Sequence, residues 1–213
     1  MKRRNRHAAG RGRRGAPANW FTRARALLAG ALVLGVGGSL TLAAWTDTET
    51  AQGTFAASVF GIQGSSDGTT FADHPSTGAA ALNFVVTPTA MSPGTTSYAR
   101  FVVKTTAATN VPGTLTLSGA TVTGTGLGPY LTYGVRTIPA TSACDATSFG
   151  AGAVVVPNSS ALSVPGTGTQ ALAVAGGAPV AYCFAVTLPA GAANAAQGLT
   201  ATASWTLTGT STS

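Results

Sequence analysis

The sequence predicts an all-β protein: an antiparallel β-sandwich, jelly-roll-like, of about nine or ten strands, preceded by a helical signal segment. Proline and glycine interrupt the chain beyond residue 53 at intervals of about 8 to 12 residues, which is typical of sandwiches and barrels. Several runs between these interruptions alternate apolar and polar residues, as half-buried strands do. No segment from 59 to 213 has a helical pattern, because threonine, valine, glycine and proline recur too often.

The clearest strand pattern lies in residues 198–210, where alternate residues from Leu199 to Leu207 are apolar and those between them are threonine or serine. This alternation places the apolar set, including Trp205, on one face. Turns are predicted at Ser92–Gly94, Val111–Gly113, Pro157–Asn158 and Pro189–Gly191. The other predicted strands are Thr54–Ile62, Ala80–Val86, Tyr98–Thr105, Thr114–Val122, Tyr130–Ile138, Ala153–Val156, Ala161–Val164, Gln170–Val174 and Val180–Leu188.

The first 50 residues have the pattern of an export leader. Nine of the twelve lysine and arginine residues lie between Lys2 and Arg25, and an uncharged, mostly apolar run follows from Ala26 to Thr46. A basic region, an apolar region and a small-residue cleavage site define such a leader. An uncleaved anchor is the alternative, since the run approaches the roughly 20 residues that span a bilayer. Glycines in the run and the small residues near its end favour cleavage.

The predicted organisation is a signal peptide over 1–43, a mature N-terminal segment over 44–53, one β-sandwich domain over 54–209 and a frayed tail over 210–213. Either fate of the leader places the β-domain outside the cytoplasmic membrane of a bacterium, with membrane contact only through the N-terminal segment. Residues 44–213 hold three basic and five acidic side chains, a net charge of −2. Without a basic patch, nucleic-acid binding is not expected.

Residues 41–58 resemble the SipW-dependent type of signal peptide, which belongs to the TasA/camelysin family of secreted matrix proteins and its actinobacterial relatives. The resemblance lies in small residues at Ala43-Ala44, an aromatic at Trp45, an acidic residue at Asp47 and the run Gly53–Ala56. It implies a dedicated signal peptidase that cuts between Ala43 and Ala44. It also implies a cell-surface or biofilm-matrix role, although the likeness beyond Ser58 is only one of general style.

Two cysteines, Cys144 and Cys183, lie in the exported part. A cysteine pair outside the cytoplasm usually forms a disulfide. A reactive or metal-binding thiol pair is the alternative, but the pair lacks a CxxC spacing and a nearby histidine. The sequence therefore favours a structural disulfide.

Candidate catalytic residues are few. His74 is the one histidine left after cleavage, and no GxSxG or HExxH motif accompanies it. Glu49 is the one glutamate, so a pair of catalytic carboxylates is hard to assemble. Asp67, Asp73 and Asp145 are possible calcium ligands by residue type, but no EF-hand series is present. We expect no enzyme activity, cofactor or metal.

Few charges protect the predicted strands from pairing with other chains. Lysine, other charges and proline normally guard exposed sheet edges, and the exported part has one lysine, Lys104. We expect the segment freed by cleavage, with Trp45, Thr54 and Phe55, to serve as a donor strand that completes the sheet of another copy. The chain would then be a homopolymeric matrix subunit. The alternative is a monomeric adhesion or binding module for a glycan or protein partner.

Overall fold

A computed structural model describes residues 19–37, 46–82, 84 and 90–212, with the side chains of the first helix described over 20–32. The chain divides into two compact units, Met1–Thr54 and Phe55–Ser213. The first unit contains helix α1, Asn19–Gly37, which confirms the predicted helical segment. Within the described residues, none of the helices combines the length and apolarity needed to cross a membrane. The cleavage residues Ala43 and Ala44, and Trp45, lie outside the described residues.

The second unit is built from antiparallel strands, which confirms the predicted all-β class. Its described residues form ten strands and a short helix, α2, at Ala146–Ala151. The strands are β1 Ile62–Ser65, β2 Thr96–Thr105, β3 Gly113–Leu117, β4 Thr121–Thr123, β5 Thr132–Ile138, β6 Ala153–Ala161, β7 Gln170–Leu172, β8 Val180–Thr187, β9 Thr202–Ser204 and β10 Leu207–Ser211.

The strands form two sheets and a ribbon. The large sheet has the order β1-β2-β8-β5-β6, the small sheet has the order β10-β3-β7, and β4 pairs with β9. Every described pairing is antiparallel. The large sheet packs against the small sheet and the ribbon as a sandwich, but this strand order does not establish the jelly-roll part of the prediction.

The main core lies between the layers and centres on β8. Tyr182, Phe184 and Val186 point inward from this strand and pack with leucines of the small sheet such as Leu115. The intervening residues of β8 are buried as well, because the outer face of the large sheet is also covered. The sequence of β8 is therefore an almost continuous apolar run, as expected for a strand buried on both faces.

The outer face of the large sheet carries a second, smaller core. It joins Val102, Ile138 and Ala181 to Phe149 of helix α2. The Cys144–Cys183 disulfide, whose partners are 39 positions apart in the sequence, fixes the loop before α2 to β8. The predicted structural disulfide is therefore confirmed.

Helix α2 corrects the expectation that no helix lies beyond residue 59. Its N-cap is Asp145, whose carboxylate accepts a hydrogen bond from the Ser148 backbone N–H at 2.8 Å, while the Ser148 hydroxyl accepts one from the Asp145 N–H. Such reciprocal capping satisfies backbone donors that a helix start leaves free. The Ser148 backbone N–H and hydroxyl both donate to the Asp145 carboxylate and hold its pKa below the ordinary value.

Several strand boundaries differ from prediction. The predicted strand Ala161–Val164 does not form, because β6 ends at Ala161 and a turn follows. The predicted strand Thr54–Ile62 forms β-structure only from Ile62 onward, and Thr210 and Ser211, expected in a frayed tail, belong to β10. The predicted strands 114–122 and 198–210 are each broken in two. The predicted turn at Pro157–Asn158 lies inside β6, which bulges there against β5. Part of the predicted strand 80–86 lies outside the described residues, and its described residues form no strand.

Candidate functional site

An apolar cavity of about 480 Å³ lies at the end of the sandwich where β2 begins and β8 ends. Strand residues Ser97 and Val186 form part of its wall. The loop that connects β8 to β9 covers it, and the ribbon contributes Ala203. The lining residues come from seven separate stretches of the chain: Phe84, Ala90, Met91, Pro93, Ser97, Leu127, Leu131, Leu162, Val186, Leu188, Ala192–Asn194, Ala196–Ala201, Ala203 and Trp205.

The cavity has the size of a ligand site, and its described lining, which is uncharged, exposes polar and apolar surface to a similar extent. Its volume falls within the range of about 300 to 1,000 Å³ that is common for ligand pockets. Leucine, alanine, methionine and aromatic side chains dominate, and none of the described lining residues is charged. Several lining residues are exposed, among them Pro93, Asn194 and Gln197, and lie at its mouth.

Trp205 joins the cavity to the core. Its ring centroid lies 5.1 Å from that of Phe184 and 5.7 Å from that of Tyr133. The indole N–H is buried and makes no hydrogen bond of normal geometry among the described residues. It nevertheless acts on Tyr133, whose pKa is raised by burial and partly lowered again by the indole. Trp205 therefore connects the cavity wall to a packed aromatic cluster of the core.

Two of the four tyrosines should resist ionisation in the folded protein. Burial raises the pKa of Tyr182 and of Tyr133 above the ordinary value of 10.0. Above pH 10 the unfolded chain loses these protons while the folded chain keeps them, so the free energy of unfolding falls as the pH rises. We expect Tyr133 and Tyr182 to form phenolate, followed by absorbance, only as the protein unfolds. Ionisation of these two tyrosines in the folded state would contradict this.

An extended, exposed stretch precedes the first strand. Residues 46–58 are exposed and adopt neither helix nor strand, and the Phe55 side chain is 95% exposed. Attachment to the sandwich begins at Val59, which exchanges hydrogen bonds of 2.9 and 3.1 Å with Asn110. The predicted donor residues Thr54 and Phe55 therefore lie in a stretch that carries no described strand partner.

Phe60 is the anchor of this stretch. A Cβ added to Gly113 would lie 2.5 Å from its ring, and one added to Gly209 would lie 3.2 Å from it. These two glycines, on neighbouring strands of the small sheet, leave the space into which the ring packs. A side chain at Gly113 would displace the Phe60 ring. The glycine at this position therefore allows Phe60 to attach the chain to the sandwich.

The residues considered for catalysis or metal binding are not brought together. His74 packs edge-on against Phe101, with 6.2 Å between ring centroids. The Asp67 carboxylate accepts hydrogen bonds from Ser65, Thr69 and Thr70, which lower its pKa and stabilise a tight turn. Asp145 caps α2, and across the described ranges no three His, Cys, Asp or Glu residues cluster as a metal site would require.

The sequence predicted no site at this cavity. The alternation in residues 198–210 placed Leu199, Ala201, Ala203 and Trp205 on the inward face, and these four residues line the cavity. The loop 192–198 and the residues around Met91 and Leu127 gave no signal, because they meet only through the tertiary fold. Comparison with protein-family models found no match, and comparison with curated proteins found none either. The fold and the site define an all-β protein with an apolar end cavity and an exposed N-terminal stretch.

Proposed function

We propose that this chain is an exported, non-enzymatic structural protein, a cell-surface or extracellular-matrix subunit that assembles with other copies through the stretch before its first strand. The observation that carries the proposal is the exposure of residues 46–58, with Phe55 almost wholly in solvent. Covering a phenylalanine side chain is worth about 1.5 to 3 kcal/mol. A second copy that covered this stretch would therefore be stabilised. The leader-like N-terminus supports export before assembly.

The sheet edges support association as well. The edge strands of the two described sheets are β1 and β6 of the large sheet and β10 and β7 of the small sheet. None of these four strands contains a lysine, arginine, aspartate or glutamate. Proteins that avoid edge pairing usually place charges there. Pro157 and the bulge of β6 hinder pairing at that edge of the large sheet, whereas β10 contains neither a proline nor a bulge.

The proposal is tested by the assembly state of the protein recovered from culture medium. We expect N-terminal sequencing to begin at Ala44, and light scattering and electron microscopy to show large, filamentous species whose amount grows with concentration. A variant that lacks residues 46–58 should export, form the disulfide and remain monomeric. A monomeric unaltered protein at every concentration, or unchanged assembly of the deletion variant, would overturn the proposal.

A monomeric binding module is the second candidate, and the apolar cavity is the observation that favours it. A concave, uncharged site of this size suits a hydrophobic ligand or an aromatic side chain of a protein partner. Native mass spectrometry of the exported protein separates the candidates. A monomer that carries a stoichiometric bound molecule would favour the binding module, and ligand-free oligomers would favour the structural subunit.

A further inference from the structure

We propose that the apolar cavity of one copy receives the Phe55 side chain of another copy. The inference rests on the proposed function, because it names the surface on which the exposed stretch docks. It adds a defined receptor site, the cavity, a defined inserted residue, Phe55, and a direction of assembly. Each of these can be tested separately from the question of whether the protein assembles.

The chemistry of the two surfaces matches. Phe55 is 95% exposed, and the residues from Thr50 to Ser58 carry no charge. The described cavity lining is also uncharged and includes the aromatic Trp205. Insertion of the ring would therefore bury apolar surface. It would not bury an unpaired charge, which would be costly. Aromatic rings also gain from contact with other aromatic rings.

The geometry excludes insertion of Phe55 into the cavity of its own chain. Strand β1 runs antiparallel to β2, with Ile62 opposite Thr105, so the chain before β1 leaves past the Thr105 end. The cavity mouth lies at the other end of β2, beyond Thr96. Nine residues of strand separate these ends, a distance of about 30 Å.

Phe55 has too short a tether to cover that distance. Val59 is hydrogen-bonded to Asn110, so Phe55 lies only four steps along the chain from an attached residue. Four extended residues span at most about 14 Å, roughly half of what is needed. A Phe55 ring that enters the cavity must therefore come from a different copy.

The placement of ring and cavity at opposite ends of the sandwich gives the assembly a direction. Each copy offers its ring at one end and its cavity at the other, so the contact is head to tail. Such heterologous contacts do not close on themselves unless the rotation between copies happens to close a ring, and otherwise they extend as filaments. The cavity and Phe55 together thus account for an open polymer.

Four single variants of the full-length exported protein test the contact. Phe55→Ala removes the ring, and Ala196→Trp fills the cavity from a half-buried lining position. Gln52→Ala and Ala195→Trp are the matched controls, because both alter exposed neighbours outside the contact. We expect the first two to raise the concentration for half-assembly at least about tenfold. The two controls should leave it unchanged.

A mixing experiment makes the test specific. Phe55→Ala keeps an open cavity and Ala196→Trp keeps its ring, so an equimolar mixture should form one-to-one dimers that cannot extend. Intact disulfide and unchanged circular dichroism check that each variant is folded. If the unaltered protein and Phe55→Ala assemble equally well, or if the mixture yields no dimers, the cavity contact is overturned while the proposed function stands. If the unaltered protein never assembles, both are overturned.

Discussion

Replacing Phe184 with alanine is expected to lower the free energy of unfolding by about 4 kcal/mol. The side chain is 1% exposed and lies at the centre of β8, the strand that pairs with both β2 and β5. Its ring contacts Tyr182 and Trp205, so truncation leaves a cavity bounded by aromatic rings. Large rings on sheet strands cannot collapse into that space, which places the cost in the upper range for core truncations.

Chemical denaturation followed by tryptophan fluorescence measures this loss. Phe184→Leu is the volume control and should cost much less, because it retains most of the buried apolar contacts. Val154→Ala, at a half-exposed position of β6, is the surface control and should change stability by less than about 0.5 kcal/mol. A loss below about 1 kcal/mol for Phe184→Ala would mean that β8 is not the centre of the core.

The sequence predicted which residues point inward better than it predicted where strands begin and end. Between 199 and 210 every odd-numbered residue is at least half-buried and every even-numbered residue is exposed, as the alternation predicted. The chain nevertheless changes partner within this run, since β9 pairs with β4 and β10 pairs with β3. Alternation depends on the pleat alone, whereas a strand break depends on which neighbour supplies the hydrogen bonds.

Local context also explains the missed helix and the misplaced turn. Helix α2 spans six residues, too short to show a helical repeat, and its one local signal was an aspartate three residues before a serine. Pro157–Asn158 continues a strand because the bulge places Asn158 over Gly134, where a Cβ would lie 2.5 Å from the amide oxygen. Ser159 adopts a positive φ of 64° at this bulge. From the sequence alone, proline followed by asparagine predicts a turn. Only the pairing with Gly134 makes the same residues a bulge within a strand.

The exposed stretch illustrates the limit of a strand pattern. Residues 54–61 have strand-like composition, and the pattern correctly placed Ile62 in a strand. Pairing with β2 begins at Ile62, however, and the chain before Val59 has no described partner within its own molecule. The β-propensity of a segment measures how well its residues suit a sheet. It does not determine whether a neighbouring strand is present to pair with. A strand-like segment without a neighbour in its own fold is what intermolecular pairing requires.

Reducing the Cys144–Cys183 disulfide is expected to lower the free energy of unfolding by about 4 kcal/mol, since it opens a loop of about 40 residues in the unfolded chain. Cys183 is wholly buried on the outer face of β8, and Cys144 is 6% exposed beside it. The bond also holds α2 over Val102, Ile138 and Ala181. Its loss should therefore loosen the outer core before it affects the inner one.

Denaturant titrations with and without reductant measure the effect, and hydrogen exchange locates it. The double variant Cys144→Ala, Cys183→Ala should match the reduced protein, because both lack the covalent loop while keeping small side chains at the two sites. Asp145→Ala, which removes the α2 cap and keeps the disulfide, should loosen the helix but cost less stability than reduction. Exchange should become fastest in residues 139–151, through local opening, whereas Tyr182 and Phe184 should speed up only as far as the global stability falls. Equal stability of oxidised and reduced protein would mean that packing alone holds the loop to the sheet.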